Sequence, residues 1–181
     1  MIHHLALATK DIVKAHHFYT QAMGFSLVKA VKRQAPGGGW TKHVFYDMGD
    51  GLLFALWDLR GMSEQLPASW SAALSVGMGL PGWINHVAFE VKDEEDLQRC
   101  KQRWLEHGYH VTLVDHDFIR SIYTFDPDGT MVEWTYRTRE LDNADADEAI
   151  ILMRDDTPAE EPDYEMEVTR STVKKSFPET V

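Results

Sequence analysis

The chain has 181 residues, a formal net charge of −11, and 44% hydrophobic against 26% charged residues, the balance of a water-soluble folded protein. No apolar run is long enough to cross a bilayer, the N-terminus lacks a basic-then-apolar leader, and the single cysteine, Cys100, excludes an internal disulfide. A cytoplasmic protein with no membrane partner is expected. Residues 140–181 hold thirteen Asp and Glu against four Lys and Arg, which leaves a nearly neutral body and argues against nucleic-acid binding.

Residues 3–9 alternate apolar and polar as a first strand, and Asp11 then caps a helix over 12–23 in which Ile12, Ala15, Phe18, Tyr19 and Ala22 keep helical spacing. Gly24 ends it. Extended patterning returns at 25–32, at 43–46 and at 52–57, the last two separated by the turn Gly49-Asp50-Gly51. Residues 60–83 break the pattern and read as a connector with a short helix at Ser69 to Leu74. The order then restarts: strand 85–91, Asp93 as cap, a helix around Leu97, Cys100, Trp104 and Leu105, a stop at Gly108, and strands at 109–114, 120–125 and 131–137. Between the last two lies the turn Asp126-Pro-Asp-Gly129. Beyond Arg139 the acidic tail, with Pro158, Pro162 and Pro178, buries too little apolar surface to offset its ordering entropy. An arm that is partly disordered, or that wraps the surface or a partner subunit, is expected over 138–181.

The restart is a repeat. His86-Val-Ala-Phe-Glu-Val-Lys-Asp93 restates His4-Leu-Ala-Leu-Ala-Thr-Lys-Asp11, with a histidine leading and an aspartate cap seven residues on. Laying Asp50-Gly51 over Asp128-Gly129 sets His43 against Ser121, Phe45 against Tyr123 and Ala55 against Glu133. The expected fold class is therefore α+β: two βαβββ modules, 1–59 and 84–137, joined by the connector 60–83 and forming a cupped mixed sheet over 1–137.

Paired βαβββ modules that each open with a histidine, the second closing on Asp-Pro-Asp-Gly-x-x-x-Glu, resemble the vicinal oxygen chelate superfamily. That group includes glyoxalase I, extradiol ring-cleaving dioxygenases, fosfomycin-resistance enzymes and bleomycin-resistance proteins. The resemblance implies a divalent metal held by side chains from the first and last strands of each module, which fall here on His4, His86 and Glu133, with Ala55 at the fourth position. Alternation puts His3 and His4 on opposite faces, and the repeat register selects His4. Two imidazoles and one carboxylate leave the facial arrangement suited to Fe(II), with Mn(II) or Zn(II) as alternatives. Glyoxalase I needs the ligand that Ala55 cannot supply.

The resemblance thus implies an Fe(II)-dependent extradiol dioxygenase acting on a catecholic ring with dioxygen. Tyr123 stands near the open coordination sites, and His43 and His116 are the available acid-base imidazoles. Residues 60–85, where such enzymes carry that histidine, contain none. A fosfomycin transferase would have threonine at Ala6 and a basic cluster of which only Arg120 remains. Another metal-dependent lyase, isomerase or thiol transferase is an alternative, as is a non-catalytic binder of a flat aromatic ligand lined by Trp40, Trp57, Trp83 and Trp134. A strand histidine taken alone is more often a core or surface residue, and a small-domain tryptophan is more often core. Exposed sheet edges favour a homodimer.

Overall fold

The computed structural model describes residues 3–49, 51–159 and 165–180. The first half comprises β1 (His4–Thr9), α1 (Ile12–His17), β2 (Ser26–Gln34), β3 (Trp40–Asp47) and β4 (Leu53–Arg60). The second comprises β5 (His86–Glu90), α2 (Glu94–Glu106), β6 (Val111–Asp115), β7 (Ile119–Phe125) and β8 (Met131–Arg137). This is an α+β fold of two βαβββ units. Each forms its own sheet, in the orders β1-β4-β3-β2 and β5-β8-β7-β6, with the outermost strands β1 and β5 running parallel to their neighbours.

Both expected caps are made: Asp11 accepts from Lys14 N and Asp93 from Asp96 N. After His17 the first helix continues as a π-helical turn, Phe18–Ala22, with Met23 N donating to Phe18 O. Thr20 Oγ1 donates to His16 O at 2.8 Å, a side-chain competitor for the backbone ladder of the kind that bends helices. Gly24 takes φ +83°, and a Cβ there would collide with the Arg103 guanidinium, which donates to Met23 O.

The alternation of each strand sorts its side chains to two faces. In the first sheet Val44, Tyr46, Phe54 and Leu56 turn inward; in the second Phe89, Leu113, Ile122 and Trp134 do so, and all eight belong to one apolar cluster with the helices. Phe25 lies 5.2 Å from Phe89 and 6.0 Å from Trp134, ring to ring, joining the halves. A buried polar link reinforces the joint: the Tyr19 hydroxyl donates to Asp126 Oδ2 at 2.9 Å, while Asp126 Oδ1 accepts from Asp128 N and Thr130 N. Burial, followed by the nearby Asp128 charge, pushes the Asp126 carboxyl up to about 6 despite those donors.

The connector departs from expectation. Ser69 to Leu74 are irregular, with turn or bend only at Ser69, Ala73 and Leu74, and the short helix is the 3-10 turn Val76–Met78. Leu74 N donates to Thr130 Oγ1 and Ala73 N to Ser71 Oγ, so the donors a helix would need are spent on side chains. In the hairpin expected at Gly49-Asp50-Gly51, Asp50 lies outside the described residues; Met48 N and Leu52 O close it.

The tail carries structure the sequence did not suggest. Helix α3 (Asn143–Met153) opens on a capping box of Asp142 and Asp145 and is exposed along its length. Strand β9 (Glu165–Thr169) then pairs antiparallel with β6, extending the second sheet to β5-β8-β7-β6-β9. Beyond it, Ser171 Oγ donates to Leu105 O, and Lys175 Nζ sits 3.9 Å over the Tyr109 ring. Gly108, at φ +81°, admits this strap, since a Cβ there would meet the Val173 and Lys175 backbone. Residue Pro162 lies outside the described residues.

Candidate metal centre

The faces of the two sheets that turn away from the shared core carry the residues singled out by chemistry. In the second sheet, pairing places Ala88, Glu133, Tyr123 and Thr112 in one row, with His86 one step up β5 on the same face. Glu133 is 3% exposed, and its Oε2 lies 3.1 Å from His86 Nε2. The other ring nitrogen, Nδ1, lies 3.1 Å from Ile84 O, which fixes the imidazole's orientation with Nε2 toward the carboxylate. A carboxylate this deep, facing one imidazole, needs a cation to offset its desolvation. Metal-bound histidines characteristically anchor their second nitrogen on a backbone carbonyl, so this pair fits a divalent metal.

Tyr123 lies edge-on to His86, ring centroids 5.9 Å apart, and its hydroxyl meets His116 Nε2 at 3.0 Å. Burial foremost pushes the phenol up to about 12; a hydrogen bond with Ser121 opposes this and the Glu133 charge adds to it. The phenol is thus a hydrogen-bond donor at neutral pH. His116 occupies a tight turn in which Asp117 takes φ +70° and its N–H is caught by Asp115 Oδ1.

The first sheet holds the other two. His4 lies 6.5 Å from His43 and 5.8 Å from Phe45, ring to ring, and its Nδ1 is 2.8 Å from His3 Nδ1. His43 stacks on Trp57 at 3.7 Å and 12°. Burial, and next the positive potential of His4, lowers the His43 pKa. The anticipated superposition of the halves holds residue for residue where it is described: Phe45 pairs Ala55 as Tyr123 pairs Glu133, and Ala6 pairs Ala55 as Ala88 pairs Glu133.

Six expected site residues therefore fall into two groups, His4 with His43 and His86 with Glu133, Tyr123 and His116. Among the described residues no three His, Cys, Asp or Glu side chains converge on one point. The cause is topological: both sheets give their inner faces to one core, so their outer faces cannot meet within a chain.

A family model described as the Glyoxalase/Bleomycin resistance protein/Dioxygenase superfamily matches residues 1–134. The chain belongs to that superfamily. Solved structures of this superfamily's fold resemble it at low identity. A glyoxylase/bleomycin resistance protein/dioxygenase domain from Frankia sp. EAN1pec is 17% identical with a TM-score of 0.55, covering 76% of this chain and 97% of its own. A mutant fosfomycin resistance protein, FosX, from Listeria monocytogenes, complexed with Mn(II) and 1S,2S-dihydroxypropylphosphonic acid, is 18% identical with a TM-score of 0.53, covering 78% and 94%. A glyoxalase family protein from Enterococcus faecalis is 23% identical with a TM-score of 0.50, covering 75% and 97%. No curated protein matches.

Sequence reasoning overlooked the surroundings of His43. Register places Val31 beside His43 and Arg33 beside Thr41 on the same outer face. The 2.0 period alone does not reach them, because a bulge between Leu27 and Lys29 and the glycine loop before β3 interpose an uncounted offset. Arg120, the one cation kept from the fosfomycin-enzyme pattern, points to the helix side and pairs with Glu94 at 3.5 Å. A cavity of about 870 Å³ beside β5 and the β3–β4 turn has no histidine in its lining. Among the described residues no helix is long and apolar enough to cross a membrane.

Proposed function

We infer that the protein is a divalent-metal-dependent enzyme acting on a small aromatic molecule as a homodimer, with His4 of one subunit joining His86 and Glu133 of the partner subunit. The observation that carries this reading is the buried Glu133 carboxylate facing an oriented His86 imidazole. What supports the dimer is that the two outer faces turn away from one core within a chain, whereas a second copy can lay its first sheet against this second one. The unpaired edges of β1 and β5 are available for that contact.

The His-His-Glu set with Ala55 in the fourth position favours Fe(II) and extradiol cleavage of a catechol by dioxygen; Mn(II) or Zn(II) would accompany a lyase, isomerase or transferase. Bound Fe(II) would supply one-electron chemistry between catechol and dioxygen. The chain's own residues do the rest. Ile84 O and Glu133 hold the His86 ring, and Tyr123, whose Oη lies 3.0 Å from His116 Nε2, keeps its proton and acts as a hydrogen-bond donor. His43, beside His4, accepts a proton from the substrate hydroxyl.

Anaerobic purification with metal analysis, followed by catechols and an oxygen electrode, tests the reaction. Iron and oxygen uptake are expected; zinc or no metal, with no uptake on any diol, would overturn the dioxygenase reading. Co-expression of His4→Ala and His86→Ala chains tests the shared site. Each heterodimer then keeps one intact site and binds metal that neither parent binds, whereas a site within one chain would give none.

A further inference from the structure

The outer face of the first sheet contains a cavity that reaches beyond His43 to residues with no role in the metal chemistry. It measures about 260 Å³ and is lined by Val31, Arg33, Thr41, His43, Phe45 and Trp57. Small-molecule sites run from roughly 300 to 1,000 Å³, so this one suits a single ring. Its floor is the stack of His43 on Trp57, with Phe45 tilted against His43 at 4.1 Å. Its wall is β2, whose register sets Val31 against His43 and Arg33 against Thr41.

Among the described residues two polar groups at this cavity lack protein partners, one buried and one on the exposed Arg33 at its rim. His43 Nε2 is buried without a hydrogen-bond partner among the described residues. The Arg33 guanidinium makes no ion pair among them either, although most other arginines here do. A flat apolar floor, one planar fork of donors and one unpaired ring nitrogen form a complementary set. The floor takes an aromatic ring, the guanidinium takes a carboxylate in bidentate fashion, and the imidazole takes a second polar substituent.

We propose that this cavity binds a single-ring aromatic carboxylate, with its carboxylate on Arg33 and its ring over the His43–Trp57 stack. The proposal deepens the function above and rests on it for one step only, that the bound ring is the substrate of the centre to which His4 contributes, whose imidazole is 6.5 Å from that of His43. The alternative role for Arg33 is a charge guarding an exposed edge strand against pairing. Lys29, on the same face of β2 but outside the cavity lining, would share that role and is the internal control.

Calorimetric titration of the full chain with benzoate and with benzyl alcohol tests this, with and without prior chelator treatment. Benzoate is expected to bind the chelator-treated protein more tightly than benzyl alcohol. Arg33→Gln should weaken benzoate about ten- to a hundredfold, the loss of a charged hydrogen-bond pair, and leave benzyl alcohol unchanged. Arg33→Lys should fall between, and Lys29→Gln should match the native protein. Equal binding of the two ligands, no effect of Arg33→Gln, or an equal effect of Lys29→Gln would overturn the proposal. The metal-site reading fails separately: benzoate would still bind Arg33 in a protein that holds no metal, and Arg33→Gln would keep whatever metal the native chain holds.

Discussion

The two halves of this chain share an architecture to the level of strand register and divide the chemistry between them. At the position where β8 presents Glu133 paired with Tyr123, β4 presents Ala55 paired with Phe45. Each half keeps its leading histidine, but only the second sets it beside a carboxylate and a phenol, the phenol in turn contacting a second imidazole. The first offers a stacked aromatic floor and a guanidinium. In a duplicated fold the two copies are free to diverge at equivalent points, as the pairs Ala55 and Glu133, and Phe45 and Tyr123, do here. The outer faces turn away from each other because the inner faces share one core.

Removing the carboxylate breaks this division most severely. Glu133→Gln keeps the side-chain shape and removes its charge, so metal content measured by atomic emission should fall to background and turnover by at least about 10³-fold. The melting temperature of the metal-free protein should fall little, because the desolvation cost of a buried carboxylate is removed along with its contact to His86. A variant that keeps its metal would dissolve the contrast between Glu133 and Ala55.

The joint between the halves gives the next effect. The folded Asp126 pKa of about 6 stands above the ordinary 3.8, so the folded chain holds this proton more tightly than the unfolded one. Asp126 therefore favours folding below about pH 4, and that contribution is lost as pH rises through about 6. In urea unfolding at a series of pH values, Asp126→Asn should gain on the native protein by up to about 3 kcal/mol between pH 4 and pH 7. A difference that does not vary with pH would show that the carboxyl is ionised throughout.

The smallest effect sharpens the comparison at Tyr123. Since its phenol is pushed up to about 12, it acts as a donor, and Tyr123→Phe should lower kcat by on the order of 100-fold with KM little changed. The pH profile should keep its shape below pH 9. A profile that loses a limb in the variant would instead assign the phenol an ionisation in turnover.

Much of the fold was legible because it rests on short-range rules. Period-2 alternation marked all eight strands of the two modules, Asp11 and Asp93 announced both helices, and the repeat set Ala55 equivalent to Glu133 and Phe45 to Tyr123; the pairing of Phe45 with Ala55 and of Tyr123 with Glu133 came from the folded sheets. The connector was misread at Ser69 to Leu74, where Ser71 and the distant Thr130 capture the amides a helix would use. Strand β9 was missed because Glu165, Glu167 and Thr169 look solvated; its order comes from pairing along the open edge of β6. The outward turn of α3, with Ile151 and Met153 exposed, has no signature in its composition.

The sequence by itself determined which residue types stand at equivalent points of the two halves, since a repeat carries its own alignment and alternation assigns each side chain a face. Only the tertiary structure decided which of those residues meet. His86, Glu133, Tyr123 and His116 gather because neighbouring strands of one sheet bring them there; His4 is held apart with His43 and Trp57 because both sheets turn their apolar faces to a common core. Burial of that core is the dominant favourable term in folding, and it directs the two polar faces away from each other.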